Sequence, residues 1–461
     1  MLTRLCRTIA IPLICLSCAG KPMESKEANK GPQIRLITID PGHFHAALVQ
    51  KSMYPQIDST VHVYAPGGND LTLHLDRINA FNTRDDNPTS WNEVVYTGED
   101  FLQKMVSDKK GNLVVIAGNN RDKGNYINTA VSNGFHVLAD KPMAINTRDF
   151  ELLKSSFETA TKNGVLLYDI MTERYEITSI LQRRLSHLDK IFGSLEQGSP
   201  DNPAVTKESV HHFFKYVSGS PLTRPAWFFD VTQEGEGIVD VTTHLVDLIQ
   251  WACFPEQVLD YNRDVEMISA RRWPTALSAD QFREVTKEET FPDYLRKDLK
   301  DGVLNVYSNG EIDYKLKGIH ARVSVIWDYK APEGAGDSHY SVMRGTRANL
   351  VIRQNKDTGF KPALFIEPVG DDAGYDSELR DAFETITPEY PGISLRKVQR
   401  GYEVVIPESY QTGHEAHFAE VTSKYLEYLE KNEMPEWEVP NMITKYYITT
   451  KALEMARDSS F

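Results

Sequence analysis

The chain has 461 residues, of which 41% are hydrophobic, 10% aromatic and 25% charged, which excludes a disordered, collagen-like or disulfide-stapled polypeptide and predicts two or three domains. Acidic residues outnumber basic ones 65 to 51, a formal charge of -14, so nucleic acid and anionic membrane surfaces are not expected as partners. A small neutral or polar ligand suits this charge better.

In chain order, residues 1–17 carry Arg4 and Arg7, no acid, and the short apolar run TIAIPLICLS. This is the layout of a bacterial secretory signal, too short to span a bilayer. Three of the four cysteines (Cys6, Cys15, Cys18) fall in the first eighteen residues. The run ends Leu16-Ser17-Cys18-Ala19, which resembles the lipobox of bacterial lipoproteins, with Cys15 standing where that family usually has leucine. Cys18 is therefore the expected lipidation site, residues 18–33 a flexible tether, and an exported periplasmic or cell-envelope lipoprotein the expected location. Loss of Arg4 and Arg7 would take the charge from -14 to -16. Cys253, in LIQWACF, would then be the sole unmodified thiol and reads as a core residue.

From Ile34 short apolar runs alternate with amphipathic segments. Strands are predicted over 34–39, 59–65, 112–118, 135–140 and 165–171, with helices in HFHAALVQKSM, GNYINTAVSNG and TRDFELLKSSFETATKNG. Such alternation predicts a doubly wound, Rossmann-like parallel sheet over residues 34–170, whose ligand lies at the carboxyl ends of the strands. After about residue 190 strand-like stretches dominate (KIFGSLEQG, SVHHFFKYV, ARVSVIWDYKA, SVMRGTRANLVIRQ, ALFIEP). One helix interrupts them, from about Gly237 to Phe254, and two more close the chain. Residues 171–461 are thus predicted to form an α+β domain with an open, mostly antiparallel sheet.

Three patterns carry chemistry. LADKPMAI places Asp140, Lys141 and Pro142 at a strand end, TERYE follows the next strand, and GEGIVDVTTHLVDLIQW sets Asp240, His244 and Asp247 at helical spacing. A carboxylate beside an imidazole holds its tautomer, a neutral imidazole takes a proton from a hydroxyl, and a nearby lysine stabilises the oxygen left behind. Lys141, Asp240 and His244 are therefore the candidate catalytic set. Singly, each has a bland explanation as a surface lysine, a helix-capping acid or an amphipathic-helix histidine.

The ordered set resembles the Gfo/Idh/MocA family of NAD(P)-dependent sugar and cyclitol oxidoreductases, on Ala139 to Pro142, on Gly235 to Asp247, and more loosely on RGTRANLVI (344–352). The resemblance implies NAD or NADP as cofactor and His244 as acid/base; with the export signal, which places the protein where free NAD(H) is scarce, it predicts that the cofactor is tightly bound. It makes Lys141 the catalytic lysine, Asp240 the carboxylate that orients the imidazole, and Arg174, Tyr175, Arg224 and Trp227 the sugar-binding wall. It also implies a small carbohydrate substrate, a keto-sugar product and a homo-oligomer, with membrane contact only through the lipid anchor. The cofactor would meet Asp40, Gly42, His43, Phe44, His45, Asn119, Asn120, Asp140, Lys141 and Pro142.

The phosphate turn departs from the family. Asp40-Pro41-Gly42-His43-Phe44-His45 keeps only the middle glycine of G-x-G-x-x-G, and the second strand ends in Ala65-Pro66 rather than in an acid for the ribose. His43 and His45 could donate to the phosphates in compensation. The same residues support a rival reading, a metal-dependent hydrolase built on His43 and His45, with His211-His212 and His414/His417 as further candidate ligands. An NAD-dependent glycosidase working through a transient keto intermediate and a non-catalytic sugar-binding lipoprotein are also compatible with the sequence.

Overall fold

A computed structural model of the chain describes residues 33–217, 220–370 and 372–458. The export segment, Cys18 and all of the tether but Gln33 lie outside them. Six parallel strands form the first sheet: β1 (Leu36–Ile39), β2 (Thr60–Ala65), β3 (Asn92–Thr97), β4 (Leu113–Ile116), β5 (His136–Asp140) and β6 (Leu167–Ile170), in the order β3-β2-β1-β4-β5-β6. β1 and β4 are apolar almost throughout and fully buried, as strands covered on both faces must be. Strand order reverses between β1 and β4, which opens a crevice at their carboxyl ends.

The helices are α1 (His45–Leu48), α2 (Asn69–Thr83), α3 (Phe101–Asp108), α4 (Lys123–Ser132) and α5 (Thr147–Asn163). α5 starts where the Asn146 side chain accepts from Asp149 N and stops at Gly164 in the left-handed region, a capped helix as its sequence implies. α1 is much shorter than HFHAALVQKSM suggests. Trp91 Nε1 donates to Gln50 O and Arg84 Nη2 to Lys51 O, so side chains take the carbonyls that a longer helix would use. The elements α2, β3 and α3 have no counterpart among the elements expected from sequence.

Beyond β6, α6 (Ile177–Ser186) leads to β7 (Val205–Phe214). β7 is central to a ten-stranded sheet running Val265–Leu277, Val303–Leu316, Ile319–Lys330, β7, Ser338–Arg344, Ala348–Gln354, Ala363–Pro368, Gly401–Val405 and Ser394–Val398, with Leu299–Lys300 paired to Val303–Leu316. All neighbours are antiparallel except β7 and Ile319–Lys330. The expected mostly antiparallel sheet is present. KIFGSLEQG is no strand, however: Gly193 and Gly198 take positive φ, and the segment makes only isolated bridges.

The helix expected from Gly237 to Phe254 is α7, Thr242–Cys253. Residues before it form a turn pressed against the second sheet: a Cβ on Gly237 would lie 1.7 Å from Ser308 O, so only glycine fits. Cys253 packs at the margin of the second core, and burial pushes its thiol up to about 12, which makes it inert.

Two C-terminal helices, His414–Lys431 and Glu438–Asp458, return to the first domain. Phe418, Val421, Tyr425 and Tyr446 belong to the first domain's core, whereas Ile448, Ala452 and Leu453 belong to the second. Among the described residues no helix is long and apolar enough to cross a membrane.

A buried ion cluster pins these parts. Arg174 pairs with both oxygens of Asp247 at 2.7 Å and with Glu438 at 3.1 and 3.2 Å. Lys445 reaches Asp169 at 2.7 Å and Asp247 at 2.9 Å, and Tyr446 OH donates to Asp169 at 3.0 Å. Removing one member leaves an opposite charge buried without its partner. Arg174→Met should therefore cost about 3–5 kcal/mol of unfolding free energy, read as a lowered midpoint in chemical denaturation, whereas Arg121→Met, at an exposed Arg121–Asp122 pair, should leave the midpoint nearly unchanged.

Candidate active site

A cavity of about 1460 Å3 opens between the carboxyl end of the first sheet and the second sheet. β5 delivers Asp140 and Lys141 to it, and α7 with its preceding turn delivers Asp240 and His244. Eight of the thirteen histidines line it, among them His43, His45, His211, His212, His244 and His414. An internal surface so rich in imidazole is unusual for a purely structural seam.

Lys141 Nζ donates to Asp240 Oδ1 across the cavity floor. Burial pushes Lys141 down, but Asp240 and Asp140 outweigh it and hold its pKa above the ordinary value, so it stays a cation. Burial, then Lys141, drive His244 well below its usual range. The imidazole is therefore neutral at neutral pH. Asp240 is paired with Lys141 and does not orient the His244 ring, contrary to the role given it by resemblance; His244 Nδ1 has no hydrogen-bond partner among the described residues.

Deeper at the strand ends, His45 Nδ1 lies 2.9 Å and His43 Nδ1 3.3 Å from Asp140 Oδ2. Burial raises the Asp140 pKa, yet His45, His43 and Lys123 together hold it well below the carboxylate range, while burial keeps both imidazoles below theirs. Lys123 Nζ donates to Asp140 O at 2.9 Å. On the other wall Asp337 takes His212 at 2.9 Å, Lys215 at 3.0 Å and His211 at 3.5 Å. Arg224 also lines the cavity, but its Nε donates to Phe213 O and its Nη2 to His212 O. Among the carboxyls of the lining that the sequence did not single out, two are strongly shifted. Glu234 is raised well above its usual range by burial and by Asp240, and Glu173 to about 7 by burial and by Glu176.

Three residues expected on the sugar wall lie elsewhere. Arg174 is consumed by the buried ion cluster, because three carboxylates inside the fold need cations. Tyr175 packs against the first core. Trp227 lies over the β1 turn, its Nε1 donating to Asp70 Oδ2 at 2.8 Å.

That turn is where a dinucleotide would lie. Packing at the switch point is close, since a Cβ on Gly118 would come within 2.2 Å of Asp40 O. Asn119 and Asn120 are held by Gln233 and Glu234. The turn itself presents Asp40, which accepts from Tyr126 OH at 3.0 Å, and Asp70, while His43 and His45 turn their Nδ1 atoms toward Asp140. The residues present fit the reacting end of a nicotinamide cofactor, where a cationic lysine and a neutral imidazole face one cavity. At the pyrophosphate end the turn presents Asp40 and Asp70 where the family has glycines, so the donors for the phosphates must come from other residues of the crevice.

Two family profiles match the chain: "Putative oxidoreductase C terminal domain" over residues 181–457, and "Oxidoreductase family, NAD-binding Rossmann fold" over residues 71–169. The chain belongs to the Gfo/Idh/MocA family of oxidoreductases. A crystal structure described as a putative oxidoreductase from Parabacteroides merdae is 54% identical, with a TM-score of 0.92 over 94% of this chain and 99% of that one. Levoglucosan dehydrogenase in complex with NADH and levoglucosan (12% identity, TM-score 0.58, 92% and 98% covered) shares the fold. So does a 3-ketoreductase from Actinomadura kijaniata in complex with TDP-benzene and NADP (13%, 0.56, 92% and 97%). No curated protein matches the chain.

The environment of Glu173 gives a pH-dependent stability. Its raised pKa means that the fold favours the neutral acid. At about pH 4 the group is largely neutral folded or unfolded, whereas above about pH 7 the fold must hold a charge it disfavours. Glu173→Gln should stabilise the protein by about 1–3 kcal/mol at about pH 8 and hardly at all at about pH 4, measured by urea denaturation at both pH values.

Proposed function

We propose that this protein is a sugar oxidoreductase that acts on a hydroxyl of a sugar or glycoside in the 1460 Å3 cavity. The observation that carries the reading is the convergence of a neutral His244, a cationic Lys141 and Asp240 on one polar cavity floor. His244 accepts the hydroxyl proton, and Lys141 stabilises the oxygen as negative charge develops on it. Asp240 keeps Lys141 charged and aimed, while Glu234 and Arg224 offer further polar contacts to a polyhydroxy substrate. Oxidation of the carbon also requires a hydride acceptor, the chemistry a bound NAD or NADP supplies. Levoglucosan dehydrogenase and the 3-ketoreductase, each in complex with a nicotinamide nucleotide, support a carbohydrate substrate and a nicotinamide here. The signal-like N-terminus and Cys18 support export as a lipoprotein, and a nicotinamide working outside the cytoplasm would have to be retained between turnovers.

Denaturing the purified protein and assaying the released nucleotide should yield NAD(P) in about one equivalent; a nucleotide-free protein that also fails to bind added NAD(P) would sink the dehydrogenase assignment. With a panel of sugars and glycosides, His244→Ala should lower kcat by about 10²–10⁴-fold and Lys141→Met by about 10²–10³-fold, and wild-type turnover in either would refute its role. Activity of the wild type should be flat through neutrality, falling in acid below the ordinary histidine range as His244 becomes protonated and in alkali above the ordinary lysine range as Lys141 loses its proton. The alkaline limb reports Lys141. Asp240→Asn removes the main charge that raises Lys141, so that limb should move to lower pH.

A further inference from the structure

His43, His45 and Asp140 come from two separated strand ends, β1 and β5, and meet at one point on the cavity wall. One donor atom from each lies within 4.8 Å of the other two. His45 Nδ1 and His43 Nδ1 are 2.9 and 3.3 Å from the same oxygen, Asp140 Oδ2, and the two rings meet edge to face with centroids 4.1 Å apart. Hydrogen bonding accounts for only one of these contacts. His45 makes a good bond, whereas His43 Nδ1 and Asp140 Oδ1 remain buried without a hydrogen-bond partner. Two imidazoles aimed at one carboxylate oxygen, with the second oxygen bare, satisfy the buried polar atoms poorly.

Divalent transition ions bind imidazole nitrogen and carboxylate oxygen at about 2.0–2.2 Å. At tetrahedral or octahedral angles neighbouring donor atoms then lie about 3.0–3.4 Å apart, which the two separations to Asp140 already approach. We propose that His43, His45 and Asp140 form a binding site for a divalent transition-metal ion, opening on the cavity that holds Lys141 and His244. Two nitrogens and one oxygen favour zinc or a neighbouring first-row ion over calcium or magnesium. Three protein ligands leave coordination positions directed to the cavity, as in catalytic rather than structural sites. Oxygens of a polyhydroxy or keto-sugar would take them. His43, His45, Asp140 and Lys141 line the same cavity, so the ion and the ammonium would face one substrate.

This site goes beyond the dehydrogenase reading and can fail independently of it. A protein that carries nucleotide but binds no metal overturns the site and leaves that reading standing; metal without nucleotide does the reverse. The experiment is titration of the chelator-stripped, full-length protein with Co(II), followed by d–d absorption and by calorimetry. One equivalent should bind to the wild type and to His211→Gln, which alters the separate histidine pair at Asp337. His43→Gln and Asp140→Asn should each weaken binding by at least about 10-fold, with circular dichroism confirming the fold. His43 is partly exposed, so His43→Gln decides the matter where Asp140→Asn fails to fold. No saturable binding to the wild type, or unchanged binding in a folded His43→Gln variant, would overturn the proposal.

Discussion

The placement of the site depends on a small group of charges that never touches it. Arg174 and Lys445 pair with Asp169, Asp247 and Glu438 in the buried interior, two cations among three carboxylates, with the hydroxyls of Tyr446 and Tyr428 donating to Asp169 and Glu438. Those five charged residues come from β6, the segment after it, α7 and the last helix, so satisfying the ions fixes four elements against one another. Asp247 lies on the helix that carries His244, and Asp169 lies on the strand next to the one that delivers Lys141. A slip of α7 by one turn would carry His244 with it and break the paired hydrogen bonds between Asp247 and Arg174. Buried ion pairs of this kind add little net stability over apolar packing, but they make the wrong arrangements costly.

The cavity follows a different electrostatic rule. His43, His45 and His244 are kept neutral by burial, and the positive charge sits mainly on lysines and arginine held by nearby acids or backbone carbonyls. Neutral imidazoles accept protons and bind cations, and burial keeps them in that form further into acid than hydrated imidazoles would be. Trp327 and Phe228 meet edge to face along the wall, with the Arg224 guanidinium over both rings.

Much of this was legible in the sequence. Apolar runs marked β1, β4, β5 and β6, and the strand-end lysine and the Asp240/His244 spacing located the cavity floor. The stretch from α2 to α3 stayed silent because β3 is an edge strand whose residues are largely exposed, with no apolar run to betray it. Arg174 was misplaced because spacing shows that an arginine leaves a strand near the ligand end, and cannot show that Glu438, 264 residues later, waits for it inside. Asp240 was assigned to His244 by helical spacing, but the chain before α7 is a turn, and Lys141 claims the carboxylate. Asp140 passed as part of a lysine motif; only the fold shows that it faces the histidines of the first turn.

The last helix, Glu438–Asp458, supplies Tyr446 to the first core and Leu453 to the second. The last helix thus bridges the two cores. No single cut can release the Rossmann-like half intact: severed after β6, it would lack the aromatic residues that close its own interior. Its core is complete only when Tyr425 and Tyr446, which follow the whole second sheet in the chain, have docked on it.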